Sequence, residues 1–327
     1  MSPLWRPSSG CGPACLPGPG EAPTIPVLRQ LGRAAGLLGM LGLGIGLAAL
    51  LPALPTQERQ AALRGWARTT ARACGVRLEV RGRLPRRRAL LVANHVSWWD
   101  VLALLAVAPA RLVAKQEVRR WPLIGLLARA AGTVFVDRSR PRGLPATVGR
   151  VASALRSGRS VAVFPEGTTW CGGAASCRPA NGFRPAMFQA AIDAGAPVVP
   201  LRIGYRCGVT GETTTAPAFV GDETLLRSVR RMLAVRKLTV RVDIAAPLHP
   251  ARSTDRRALA RVAESAVHLV PSMPAAQPAS VVAGPAQPVR VPARPAAAVL
   301  PVTPRSAAAT SPGAVAGEPE RELPLAA

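Results

Sequence analysis

Residues 89–106 read ALLVANHVSWWDVLALLA. The apolar run Ala89–Ala93 suits a strand buried in a sheet, and it ends directly in the polar turn that begins Asn94-His95. An apolar helix then runs on through Leu105, which leaves His95 at a strand's carboxyl end, the edge where α/β sheets bind ligands. Working outward, the same alternation continues. Residues 58–75 carry a helical period stopped by Gly75, and VRLEVRG over 76–82 alternates Val76, Leu78 and Val80 with charged residues as a half-buried strand. Further strands are expected at RLVAK (111–115), TVFVD (133–137), SVAVF (160–164), PVVPLRI (197–203) and KLTVRVDIA (237–245). Helices are expected around 118–130, 143–157, 184–194, 222–235 and 254–269. Strands alternating with helices define an α/β fold.

Four segments are expected: a Pro/Gly/Ser-rich disordered stretch over 1–27, a hydrophobic membrane-inserting segment over 28–56, a folded domain over 57–270, and a Pro/Ala-rich disordered tail over 271–327. The uncharged run from 34 to 56 is long enough to cross a hydrocarbon core of about 30 Å as a helix. Arg29 and Arg33 precede it, while Arg59, Arg64, Arg68 and Arg72 follow. The larger cluster favours a cell membrane protein whose downstream domain lies on the cytoplasmic face, and basic flanks on both sides also fit a segment that dips without spanning. No strand precedes GLGIG within this run, so it reads as a small-residue helix face rather than a dinucleotide site.

The 42 Lys+Arg against 17 Asp+Glu give a net charge of +25, which calls for an anionic partner such as a phospholipid surface or a phosphorylated substrate. Aromatics are only 4% of the chain and do not interleave with the cations, so nucleic acid is not the expected partner. Six cysteines occur without paired CxxC sets, beside only three histidines, so no metal site is expected. Cys171 and Cys177 read as ordinary residues of a Gly-rich loop, with a disulfide or metal role as the alternative.

A histidine can take a proton from a hydroxyl as the oxygen attacks an acyl carbon, provided a carboxylate holds its other ring nitrogen. Asp100, five residues after His95 across a turn into a helix, is placed to do so. The competing reading is a capping box, Ser97-x-x-Asp100, in which the carboxylate serves only the helix. Phe164-Pro165-Glu166-Gly167-Thr168-Thr169 again follows a strand, offering backbone donors and hydroxyls to a phosphate at the same sheet edge. A hydrolase with Ser97 as nucleophile is a further alternative, against which stands the lack of a GxSxG elbow.

NHVSWWD resembles the NHxxxxD motif of the glycerolipid acyltransferases of the 1-acyl-sn-glycerol-3-phosphate acyltransferase type, and FPEGTT resembles their FPEGT motif. Residues 132–138, GTVFVDR, and 198–201, VVPL, resemble two further blocks in the family's order. The resemblance covers roughly 58–250 and implies a single acyltransferase domain with a mixed, mostly parallel central sheet flanked by helices. It implies that His95 deprotonates the hydroxyl of a lyso-lipid acceptor, with Asp100 stabilising the imidazolium, and that acyl-CoA or acyl-ACP is the co-substrate with no separate cofactor. Arg138, Glu166, Gly167 and Thr168 are the matching candidates for holding the acceptor, joined by Lys115 and Arg184. Glu166 is expected to act through orientation rather than charge attraction. Members that form phosphatidic acid in phospholipid biosynthesis commonly read FPEGTR, where this chain has Thr169. Lysophosphatidic acid is the first expected acceptor, and another lyso-lipid such as lyso-ornithine lipid the second.

Overall fold

The computed structural model describes residues 7–18, 20–86, 88–173, 177, 179 and 182–269, so the tail expected over 271–327 lies outside the described residues. Among these, seven strands form one sheet: β1 (Arg77–Arg81), β2 (Leu90–Ala93), β3 (Arg111–Lys115), β4 (Val134–Val136), β5 (Val161–Val163), β6 (Val198–Cys207) and β7 (Leu238–Ile244). Their spatial order is β1-β7-β6-β2-β5-β3-β4. Neighbours are parallel except β6 and β7, which run antiparallel with Arg202 opposite Asp243 and Tyr205 opposite Val240. The expected α/β fold with a mixed, mostly parallel sheet is therefore what the chain adopts.

Side chains alternate across each strand, and the two faces build two halves of the core. Leu91, Ala93, Ala162, Leu201 and Ile203 pack with residues of α2 (Thr56–Ala73), α3 (Trp99–Val107) and α7 (Leu225–Ala234). Leu90, Val92, Val161, Val163 and Val198 pack on the other face with residues of α5 (Leu144–Arg156), α6 (Ala186–Ala194) and α8 (Arg256–Leu269). All four residues of β2 are buried, so the strand that delivers His95 is sandwiched on both sides. The helix expected over 118–130 is divided: a 3-10 turn spans Gln116–Arg120 and α4 covers Ile124–Ala130. Pro122 explains the break, because it forces Trp121 into an extended conformation (φ −69°, ψ 128°).

The N-terminal apolar helix α1 (Val27–Leu50) continues into a 3-10 turn, and Val27–Ala53, with a mean hydropathy of 2.1, is long and apolar enough to cross a membrane. Its small residues do form a packing face. Gly36 lies against Ala73, and Gly44 lets the Trp66 ring approach so closely that a Cβ there would meet it at 3.0 Å. Trp66 Nε1–H donates to the Met40 carbonyl at 2.8 Å. Leu28, Leu31, Leu38, Leu43 and Leu50 stay exposed.

The segment expected to be disordered over 1–27 differs from expectation in its described part. Cys11 is buried, Pro13–Cys15 form a 3-10 turn, and the Ile25 N–H donates to the Ala234 carbonyl at 2.9 Å. A Pro/Gly-rich stretch lacks helical or strand period whether or not it packs. Its prolines also reduce the entropy lost on ordering.

Candidate active site

The turn after β2 is fixed by one carboxylate. Asp100, in the first turn of α3 and fully buried, lies with Oδ2 2.8 Å from His95 Nδ1. The same oxygen accepts the backbone N–H groups of Val96 (2.7 Å) and Ser97 (2.8 Å), and Oδ1 accepts the Tyr205 hydroxyl at 2.5 Å. A carboxylate surrounded by donors acts as acceptor to the imidazole as well, which places the ring proton on Nδ1 and the lone pair on Nε2. The His95 ring stacks on Phe164 with centroids 3.9 Å apart and 13° between planes, and its side chain remains 20% exposed. Burial and the nearby Asp100 charge push the Tyr205 hydroxyl well above its ordinary range, which keeps it a donor.

The two readings of Asp100 do not compete, since the carboxylate that bonds the His95 ring also holds the Val96 and Ser97 N–H groups of the turn. Ser97 is fully buried, with Oγ accepting the Trp99 N–H at 3.3 Å. That burial removes it as a substrate-facing nucleophile.

The loop after β5 closes on the first from the neighbouring strand. Glu166 is buried, and its Oε2 accepts the His95 backbone N–H at 2.7 Å. Burial pushes this carboxyl up to about 8; the His95 N–H pulls it down, while the charges of Asp100 and Glu264 push it further up. Gly167 takes φ +76°, where a side chain would be strained and would meet Pro7 at 2.9 Å. The Trp170 N–H donates to the His95 carbonyl at 2.8 Å, and the Phe219 N–H to that of Val96 at 3.0 Å. Thr169 turns its hydroxyl to the Phe219 carbonyl instead of offering it to a ligand.

His95 and Glu166 both line a cavity of about 250 Å³. The other expected site residues sit outside its lining. Lys115 ends β3 with its Nζ 5.8 Å from the centre of the Trp121 ring. Arg138 follows β4; burial lowers its proton affinity, Glu117 raises it, and the Arg184 charge lowers it again, so the two arginines sense each other. Arg184 also lies beside Gly167, with its Nε 3.4 Å from where a Cβ on that glycine would stand. Asp137 bonds Ser139 and pairs with Arg140 at 3.8 Å. Thr168 is half-buried.

Sequence reasoning missed several residues. Tyr205, the single tyrosine, shares the β6 face of Leu201 and Ile203 and so points at α3, a placement that strand parity could have suggested. Asn94 exchanges two hydrogen bonds with the Ile203 backbone, at 2.9 and 2.7 Å. Arg202, Arg206, Arg241 and Asp243 line the cavity, with Arg241 and Asp243 ion-paired at 2.8 Å. Their signal was the charged residues recurring within otherwise apolar strands. Cys11, Cys15, Cys171 and Cys177 also come together beside this cavity.

A mostly parallel sheet with a His–Asp pair and a Phe-Pro-Glu-Gly-Thr turn at its carboxyl edge can deprotonate a hydroxyl and pass an acyl group to it, which is the work of an acyltransferase. The comparisons agree. The acyltransferase family model matches residues 76–204. The chain is 40% identical over 249 residues to lyso-ornithine lipid O-acyltransferase from Pseudomonas aeruginosa, covering 74% of this chain and 93% of that one. It is 38% identical over 181 residues to 1-acyl-sn-glycerol-3-phosphate acyltransferase from Neisseria meningitidis, covering 55% of this chain and 68% of that one. The crystal structure of the 1-acyl-sn-glycerophosphate acyltransferase PlsC from Thermotoga maritima shares the fold, with a TM-score of 0.53 at 19% identity over 73% of this chain and 93% of that one. The chain belongs to the acyltransferase family.

Proposed function

We propose that this enzyme transfers an acyl chain from acyl-CoA or acyl-ACP to the free hydroxyl of a lyso-lipid at a membrane surface, with the catalytic domain on the cytoplasmic side. The observation that carries the reading is the 2.8 Å contact of Asp100 with His95, which lines the cavity. His95 Nε2 takes the acceptor's hydroxyl proton as the oxygen bonds to the thioester carbonyl carbon. Asp100 stabilises the imidazolium, which returns the proton to the sulfur as the carbon–sulfur bond breaks. These steps use side chains and the two substrates, with no further cofactor.

Membrane contact is supported by the exposed leucines of α1 and by α4, which packs beside it. Trp121, Leu123 and Leu126 are exposed around a surface depression of about 580 Å³ whose rim carries Arg119, Arg120 and Arg129. Each such cation near anionic headgroups contributes about 1 kcal/mol.

For the acceptor, the order expected from the motifs is reversed: lyso-ornithine lipid comes first and 1-acylglycerol-3-phosphate second. Thr169 stands where a phosphate-gripping arginine is common, and its hydroxyl is engaged by Phe219. The Pseudomonas lyso-ornithine enzyme also aligns along nearly its whole length. Arg138 and Arg184 suit the carboxylate of an ornithine headgroup, with Glu117 near Arg138 for its ammonium. The same arginines keep the phosphate reading as the second one. Purified enzyme in lipid, given labelled acyl thioester and a panel of lyso-lipids, tests both levels. Acylation of lyso-ornithine lipid at the highest kcat/KM is expected. A higher value for 1-acylglycerol-3-phosphate overturns the acceptor, and no transfer to any lyso-lipid overturns the function.

A further inference from the structure

Cys11 and Cys15 lie in the N-terminal segment, whereas Cys171 and Cys177 follow the FPEGTT turn. Although Cys11 and Cys171 are 160 residues apart and Cys15 and Cys177 are 162 apart, all four Sγ atoms lie within 4.8 Å of one another. The Cys15 and Cys177 sulfurs are 3.9 Å apart. Four thiolates around a tetrahedral zinc, each about 2.3 Å from the ion, stand about 3.8 Å from each other. A disulfide would require contraction to about 2.05 Å.

Five features suit a metal. The ligand set is all sulfur, which selects a soft or borderline ion over magnesium or calcium. The Cys171 backbone N–H donates to Cys11 Sγ at 3.3 Å, a contact that offsets charge on a thiolate. Cys11 and Cys171 are buried while Cys15 and Cys177 are half-buried, so the cluster is sheltered yet can be entered. Cys11-x3-Cys15 has the short local spacing that lets one turn present two ligands. Gly172, at φ +70°, bends the chain immediately after Cys171.

We propose that these four cysteines bind one structural zinc ion that pins the N-terminal segment to the wall of the active-site cavity. Cys171, Gly172, Gly173 and Cys177 line that cavity, and the adjacent Trp170 N–H holds the His95 carbonyl. The ion joins two remote segments at the point where the second loop meets the catalytic turn. With all four ligands supplied by protein it has no open position for substrate.

The test is metal analysis of the full-length protein purified in detergent, with thiol titration before and after chelation, and with and without reductant. About one zinc per chain is expected, with about four further thiols becoming reactive as zinc leaves. Cobalt(II) exchanged into the protein should give thiolate-to-cobalt charge-transfer absorption. A Cys15→Ser/Cys177→Ser variant should lose at least about tenfold of the zinc, and His95→Ala should keep it. Zinc below about one tenth per chain overturns the proposal, as do stoichiometric iron in its place, native disulfides joining these cysteines, or zinc loss in His95→Ala. Because the unmutated protein decides the result, a misfolded cysteine variant does not blunt the test.

Discussion

The two loops at the sheet's carboxyl edge differ in what holds them. The loop after β2 has remote partners too, but it alone carries a dense local brace: Asp100 holds Val96, Ser97 and the His95 ring, all within five residues. The loop after β5 is braced from far along the chain. Glu166 reaches His95 across 71 residues, Thr169 reaches Phe219 across 50, and Cys171 meets Cys11 across 160. Local bonds set which ring nitrogen of the histidine is left unbonded by Asp100, and remote bonds set where the turn stands. Chemistry and placement are thus encoded at different ranges in one site.

Replacing residues on each side of this contrast sharpens it, beginning with the largest effect. His95→Ala should lower kcat/KM by about 1,000-fold or more while leaving the circular dichroism spectrum and melting curve unchanged. Near-normal turnover would end the general-base reading. Asp100→Asn should reduce kcat by about 100- to 10,000-fold, because the amide keeps the shape but cannot balance the imidazolium charge. It should also cost about 1–3 kcal/mol of stability, since one oxygen serves two buried backbone donors besides the ring. An intact denaturation midpoint in that variant would show that the turn does not depend on Asp100.

On the remote side, Glu166→Ala should cost about 1–3 kcal/mol by stranding the His95 N–H, whereas Glu166→Gln retains an acceptor and should cost less than about 1 kcal/mol. The same residue predicts a pH dependence. An unfolded chain releases this proton near 4.5 and the folded one holds it to about 8. Between those values the unfolded state binds fewer protons, so stability present at low pH is lost as pH rises, by up to about 1.4 kcal/mol per unit. The loss levels off above the folded value, and Glu166→Gln should remove this slope from a series of denaturation midpoints. A slope unchanged in that variant would assign it to another group. The smallest effect is expected from Tyr205→Phe, which removes one of the four donors on Asp100 and should lower kcat by about five- to tenfold. A loss as large as that of Asp100→Asn would mean that Tyr205 contacts the reacting atoms.

This contrast also explains what was legible in the sequence. The strands and the helices could be read because apolar period is a local property. So could His95 and Asp100, five residues apart on a strand-to-helix junction. Asn94, Tyr205 and the cavity arginines of β6 and β7 needed to know which strand lies beside which, and the order β7-β6-β2 brings together segments far apart in the chain. The cysteines were harder still. Cys171 and Cys177 resembled ordinary loop residues, and only the fold of 7–18 onto the Trp170 loop joins them to Cys11 and Cys15. Glu166 stood out by its motif, but its hold on the His95 backbone is a tertiary contact that no spacing reveals.

Strand β6 meets the catalytic turn twice, through the Ile203 backbone at Asn94 and through the Tyr205 hydroxyl at Asp100. It therefore works as a ruler whose graduations are two residues long. Lengthening it by one residue before Tyr205 would turn the phenol to the opposite face, and lengthening it by two would carry the phenol past its mark. Inherited insertions and deletions should collect after Cys207, in the exposed turn over 208–213, and spare the stretch from Pro200 to Tyr205.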